Sequence, residues 1–223
     1  MTIRELGVAG LALCAALPAT AGGGAGRKSA SFNLTAVHAG SGMEVTVQSR
    51  VWVTATQARA EVRHPLEGEM IFLVSNGSFY QLERKTKRGI KAPLPPEVRK
   101  RTDNFDHFFT RFAFDASGAL KMAKKKGTES VSGYQCDVFA NTITKGDACR
   151  TITVWVPQKL EPPLPVKAIM QTRLSRPGAT MDESITITLS NLQVNVPISP
   201  SVFAVPTGYK IVSGNPERPP GGR

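Results

Sequence analysis

From Met43 to Val53 the chain reads Met43-Glu44-Val45-Thr46-Val47-Gln48-Ser49-Arg50-Val51-Trp52-Val53. The odd positions are apolar or small and the even ones polar until Trp52, a period of two that predicts a strand with one buried face. The same alternation returns in Ala58, Ala60 and Val62, in Tyr134, Cys136 and Val138, and in Ile152, Val154 and Val156. Between two further apolar runs, Met70 to Val74 and Ser78 to Leu82, stands Asn76-Gly77. This pair tolerates positive φ and suits the two-residue turn that matches strand twist, so a hairpin is expected there. In the last third, Ile185, Ile187 and Leu189 are odd while Leu192, Val194 and Val196 are even. The phase therefore slips at Ser190-Asn191, where a bulge or bend would absorb it and help a sheet to curl. These features predict a mainly β antiparallel meander with minor α content.

The chain has 223 residues and 41% hydrophobic composition, enough for one domain that folds without a metal or disulfide. Residues 1–21 have the pattern of an export signal: Arg4, an apolar run from Leu6 to Leu17, then Pro18-Ala19-Thr20-Ala21. Cleavage after Ala21 would leave residues 22–30 as a glycine-rich tether, 31–212 as the folded domain and 213–223 as a disordered Pro/Gly tail. Cys14 is preceded by Leu13 rather than the small residue of a lipidation signal, and a released periplasmic protein is expected. In an oxidising compartment Cys136 and Cys149 are expected to pair as a structural disulfide across a hairpin at Asn141 to Asp147.

One region departs from strand patterning. Phe105, Phe108, Phe109 and Phe112 fall on one stripe of an amphipathic helix that Pro96 could start. That helix is either a core element or a lid over an apolar cavity. The same region is strongly basic: the chain carries 28 Lys and Arg against 17 Asp and Glu, a formal charge of +11, and most of the excess lies between Arg84 and Lys126. Arg84, Lys85, Lys87, Arg88, Lys124, Lys125 and Lys126 are candidates for an anionic surface, either lipid headgroups or a partner protein, with a solvated loop as the plain alternative. Nucleic acid is not expected, because the basic runs hold no aromatic residues for stacking.

Little in the sequence suggests catalysis. No Gly-x-Ser-x-Gly or Ser-x-x-Lys motif occurs, His38, His64 and His107 stand in unrelated surroundings, and three Cys and three His offer no metal-ligand spacing. His64, before Pro65, is expected at an exposed strand end. Strands apolar on both faces are more telling. Trp52 and Trp155 lie on otherwise polar faces between pairs of valines, so their rings are either covered or line a cavity. Trp52, Phe72, Phe105, Phe108, Phe109, Phe112 and Trp155 are accordingly the candidate ligand contacts.

The order of these segments resembles the LolA-like superfamily of outer-membrane lipoprotein-sorting proteins and related envelope families of unknown function. The resemblance rests on Ser49-Arg50-Val51-Trp52-Val53, Ala58-Arg59-Ala60-Glu61 and Phe79-Tyr80-Gln81-Leu82, then residues 127–136, Val154-Trp155-Val156-Pro157 and residues 201–209. It implies a single curved antiparallel sheet forming an incomplete β-barrel under a helical cover, which holds an acyl chain of a lipid or lipoprotein. No cofactor, metal or catalytic residue is implied. The basic stretch Arg84 to Lys91 and the Cys136/Cys149 pair depart from the sorting chaperone itself. The expectation is therefore a periplasmic carrier or sensor, with an envelope interaction module as the alternative.

Overall fold

A computed structural model describes residues 29–40, 42–94, 123–160, 165–176 and 179–214. The described chain is almost wholly β: β1 Ser29–Gly40, β2 Met43–Thr54, β3 Ala58–His64, β4 Gly68–Ser75, β5 Ser78–Glu83, β6 Arg88–Pro93, β7 Lys124–Val131, β8 Tyr134–Lys145, β9 Ala148–Pro157, β10 Lys167–Arg176, β11 Ala179–Val194 and β12 Lys210–Ser213. They hydrogen-bond in the order β12-β6-β5-β4-β3-β2-β1-β11-β10-β9-β8-β7, an order with two ends that does not close into a barrel. The Phe stripe at residues 105–112, and with it the helical cover, lies outside the described residues, as does the export-signal segment.

Two compact units divide the chain, one gathering residues 1–33, 49–108 and 191–223, the other 34–48 and 109–190. In the first unit β4 is buried on both faces, from Met70 through Ser75. Its register with β5 puts Ile71 opposite Leu82 and Phe72 opposite Gln81. One face thus carries Ile71, Leu73 and Leu82, and the other Met70, Phe72 and Val74. The 3-10 turn Pro200–Phe203 packs over β3 and β4, and Arg59 of β3 donates from Nη1 to the Val202 carbonyl at 2.9 Å. Arg59 pairs with Leu73, so that turn covers the Leu73 face. The expected hairpin is present: Asn76 and Gly77 both have positive φ, 50° and 68°, between Ser75 and its partner Ser78.

The last strand extends one residue into the segment expected to be tail. Lys210–Ser213 lies parallel to β6, with Lys210 opposite Arg88; Lys210 N–H donates to the Lys87 carbonyl at 2.9 Å and Gly214 N–H to the Lys91 carbonyl at 3.0 Å, distances typical of a ladder. Ser213 is therefore strand rather than tail. At the other terminus Ser29 and Ala30, counted in the tether, are buried at the start of β1, where Ser29 Oγ donates to the Val196 carbonyl.

In the second unit β7 to β10 form an antiparallel run joined to β11, with β8 and β9 turning at Gly146-Asp147. β7 ends the strand order. Three lysines and a register shift between Lys125 and Gly127 mark it as a protected edge. At the phase slip, Asn191 has φ 53°, and burial changes from Leu189 to Leu192 and Val194 as the pattern required.

The expected Cys136–Cys149 disulfide is not formed. Cys136 pairs with Pro157 and Cys149 with Thr144, eight residues along β8 from Cys136. At roughly 3.3 Å per residue the two lie about 26 Å apart, against the ~7 Å limit between bridged Cα atoms. Both thiols are free. Burial pushes the Cys136 thiol up, which keeps it protonated and unreactive. Brief alkylation of the native protein, read by peptide mass spectrometry, should modify Cys149 and spare Cys136. A Cys136–Cys149 cross-linked peptide would contradict the register.

Candidate functional site

Residues directly opposite in neighbouring strands share a face, so the register of the second unit sorts its side chains into two layers. One layer holds the row Phe139, Val154, Ala168 and Ile187, and beside it the row Asn141, Ile152, Met170 and Ile185. Val154 and Ala168 are buried there, with Phe139, Ile152 and Val156 packed against them. Further along, Leu174 pairs with Met181, and Ile143 and Met181 stand open to solvent, 49% and 40% exposed. On the opposite layer Thr142, Thr151, Gln171 and Ser184 form one row, hydroxyl and amide throughout, and Ala140, Thr153, Ile169 and Thr186 the next, where hydroxyls alternate with apolar side chains. Thr142 and Thr151 hydrogen-bond each other at 3.0 Å. An antiparallel sheet with one wet face leaves the other to be covered, and here the face in need of cover spans β8 to β11.

Trp155 falls on the hydroxyl side, opposite Val138 and Lys167 and away from the apolar rows. It is nonetheless buried. Its Nε1 donates to Glu129 Oε2 at 2.6 Å, and the Lys167 ammonium sits 4.4 Å from the ring centroid. Two long charged side chains thus cover the ring, a solution that needs neither helix nor cavity. In the first unit Trp52 is half-buried beneath the Arg50 guanidinium, 4.7 Å from its ring centroid. Phe72 is a core residue stacked on Phe79 with centroids 6.3 Å apart. Phe105, Phe108, Phe109 and Phe112 lie outside the described residues. The apolar rows of β8 to β11 went unread as a site because their alignment depends on the register of four strands.

The basic residues are partly occupied. Arg84 is tied to Glu61 at 2.9 Å and Glu69 at 3.4 Å, and Lys87 lies over the Tyr209 ring at 5.0 Å. Lys125 pairs with Asp137 at 2.8 Å, and that contact, with the Gln158 amide, holds the Asp137 carboxyl below its usual range. Lys85, Arg88, Lys124 and Lys126 remain exposed. The groups at Arg84 to Arg88 and Lys124 to Lys126 belong to different compact units.

His64 is not the exposed imidazole expected of its position. It is buried, and its Nδ1 accepts the Leu66 and Glu67 amides at 3.2 and 3.1 Å, organising the turn that ends at Gly68. Among the described residues no three His, Cys, Asp or Glu side chains gather as metal ligands.

No family model matches the chain, and no characterised protein matches it in sequence. Solved structures similar to it include the Mycobacterium tuberculosis lipoprotein LppX, at 17% identity and TM-score 0.44 over 89% of this chain and 99% of that one. A LolA superfamily protein from Nitrosomonas europaea is similar at 11% identity and TM-score 0.36, over 81% of this chain and 90% of that one. The Pseudomonas aeruginosa MucA/MucB complex is similar at 13% identity and TM-score 0.45, over 86% of this chain and 62% of that one.

Proposed function

We propose that the chain is an exported, non-catalytic binding protein, a carrier or sensor whose β8 to β11 apolar face holds the acyl chain of a lipid or lipoprotein. The observation that carries this reading is the pair of aligned rows, apolar but for Asn141, on one side of four strands whose other side carries the hydroxyls of Thr142, Thr151, Thr153, Ser184 and Thr186. Rows of half-buried Phe139, Ile152, Met170, Ile185 and Ile187 offer a linear hydrocarbon continuous contact, and each methylene removed from water contributes about 0.8 kcal/mol. The export-signal pattern of residues 1–21 and the sequence resemblance to lipoprotein-sorting proteins support the location and the class of ligand.

A dansyl-labelled fatty acid titrated into the delipidated protein should give saturable fluorescence enhancement. Met170→Glu puts a carboxylate in the middle of the second row and should weaken that binding tenfold or more, since an unpaired buried charge costs several kcal/mol, while circular dichroism stays unchanged. No saturable signal from the wild-type protein would overturn the proposal.

A further inference from the structure

We infer that the acyl chain carries an oxyanion head, received at the side chains of Asn141 and Arg150; this rests on the acyl-binding reading above. Asn141 is a polar interruption of the apolar rows, opposite Ile152 on the Phe139 side of β8. Its Nδ2 is buried and has no hydrogen-bond partner. Unmet buried donors are uncommon in folded proteins because the lost hydration is not replaced. On a face that receives a ligand, the acceptor this donor lacks would come from the ligand.

Arg150 pairs with Ile143, so it stands on the same face one step along β9 from Ile152, diagonal to Asn141. That diagonal brings two long polar side chains within reach of one small group. Arg150 is exposed, and among the described residues no carboxylate lies within ion-pair distance of it. The acid sharing its row is Glu183, across Thr172 of β10. Glu183 leans the other way: its Cγ would stand 3.0 Å from a methyl placed on Gly40 of β1, which lies on the side of β11 opposite β10. The guanidinium is therefore not neutralised within its own row.

An amide N–H and a guanidinium fork both donate and neither accepts. The group that satisfies both is an acceptor with negative charge, a carboxylate or a phosphate. An ammonium head is repelled, and a hydroxyl can answer the amide while leaving the charge unmatched. The aliphatic part then runs from this corner along Ile152 and Met170.

Four single-chain probes of equal length separate these cases below their micelle concentrations: dodecanoate, dodecyl phosphate, dodecanol and dodecyltrimethylammonium, each displacing the dansyl fatty acid from the whole mature chain. The two anions should bind roughly tenfold or more tighter than the alcohol, the size expected of a charge-assisted hydrogen bond. The cation should bind weakest, and the tighter anion identifies a fatty-acid or a phospholipid head. Arg150→Met should abolish the preference and leave dodecanol unaffected. Asn141→Leu should reduce anion binding and raise the thermal midpoint of the ligand-free protein, a combination that a purely structural asparagine does not produce. Equal binding of all four probes to the wild type, or an anion preference that survives both substitutions, overturns the head-group assignment while leaving the acyl reading standing. If no probe binds the wild type, both fail together.

Discussion

Replacing Leu82 by alanine should lower the thermal midpoint by roughly 10 °C or more, from a loss of about 3–5 kcal/mol. Leu82 is fully buried between Ile71, its partner on β4, and Gly89, its partner on β6. Gly89 has no side chain because Leu82 occupies that space: a methyl on Gly89 would overlap Leu82 Cδ2 and stand 3.2 Å from the Gln81 carbonyl. The floor of the resulting hole would be strand backbone held by the β5–β6 ladder, which cannot relax inward. A cavity that stays open puts the loss at the upper end of the leucine-to-alanine range. The pair also offers an internal control. Gly89→Ala should destabilise the wild type by overpacking, yet cost less or even help when Leu82 is already alanine, so a double-mutant cycle by denaturant unfolding should show coupling of opposite sign to the single effects. Additive losses would mean that the two positions do not share one space.

Trp155→Ala should cost about 3–5 kcal/mol in unfolding free energy and leave fatty-acid affinity within about twofold. The loss combines a large buried ring, its Lys167 cation–π contact and a 2.6 Å hydrogen bond to Glu129. Affinity should persist because Trp155 sits on the hydroxyl side, opposite the rows assigned to the acyl chain. Binding measured well below the new midpoint keeps the two effects apart. A protein of near-native stability that has lost its affinity would place the ligand on the wrong side of the sheet.

That contrast shows where sequence reading stops. Alternation identified β2, β3, β8 and β9, because a sheet with one wet face writes its burial directly into odd and even positions. Asn76-Gly77 and Asn191 were visible too, since positive φ restricts residue choice. Alternation also put Trp155 on the polar side of its strand, where it is found, but did not show what covers its ring there. A covering helix and a cavity fit the pattern equally well, and only the register with Lys167 and the reach of Glu129 show that two charged side chains cover it. β7 was hidden for a different reason: Lys124-Lys125-Lys126-Gly127 has poor strand propensity, which is what an edge strand uses to resist further pairing. Only the last residue of β12, Ser213, fell in the expected tail, because the strand's partner β6 lies more than a hundred residues earlier, beyond any local signal. The disulfide expectation failed on the same ground. Two cysteines on adjacent strands look close in sequence, but hairpin register sends one to each end. The apolar face of β8 to β11 was the largest omission, because no single strand displays it.

The claim that this face receives an acyl chain is tested most directly by photolabelling. A diazirine-bearing fatty acid, irradiated with the protein and mapped to single residues by tandem mass spectrometry, should attach at Phe139, Ile152, Met170 and Ile185, with labelling suppressed by excess dodecanoate. Suppressible labelling confined to the hydroxyl side around Thr151 and Gln171, or to the first unit alone, would contradict it.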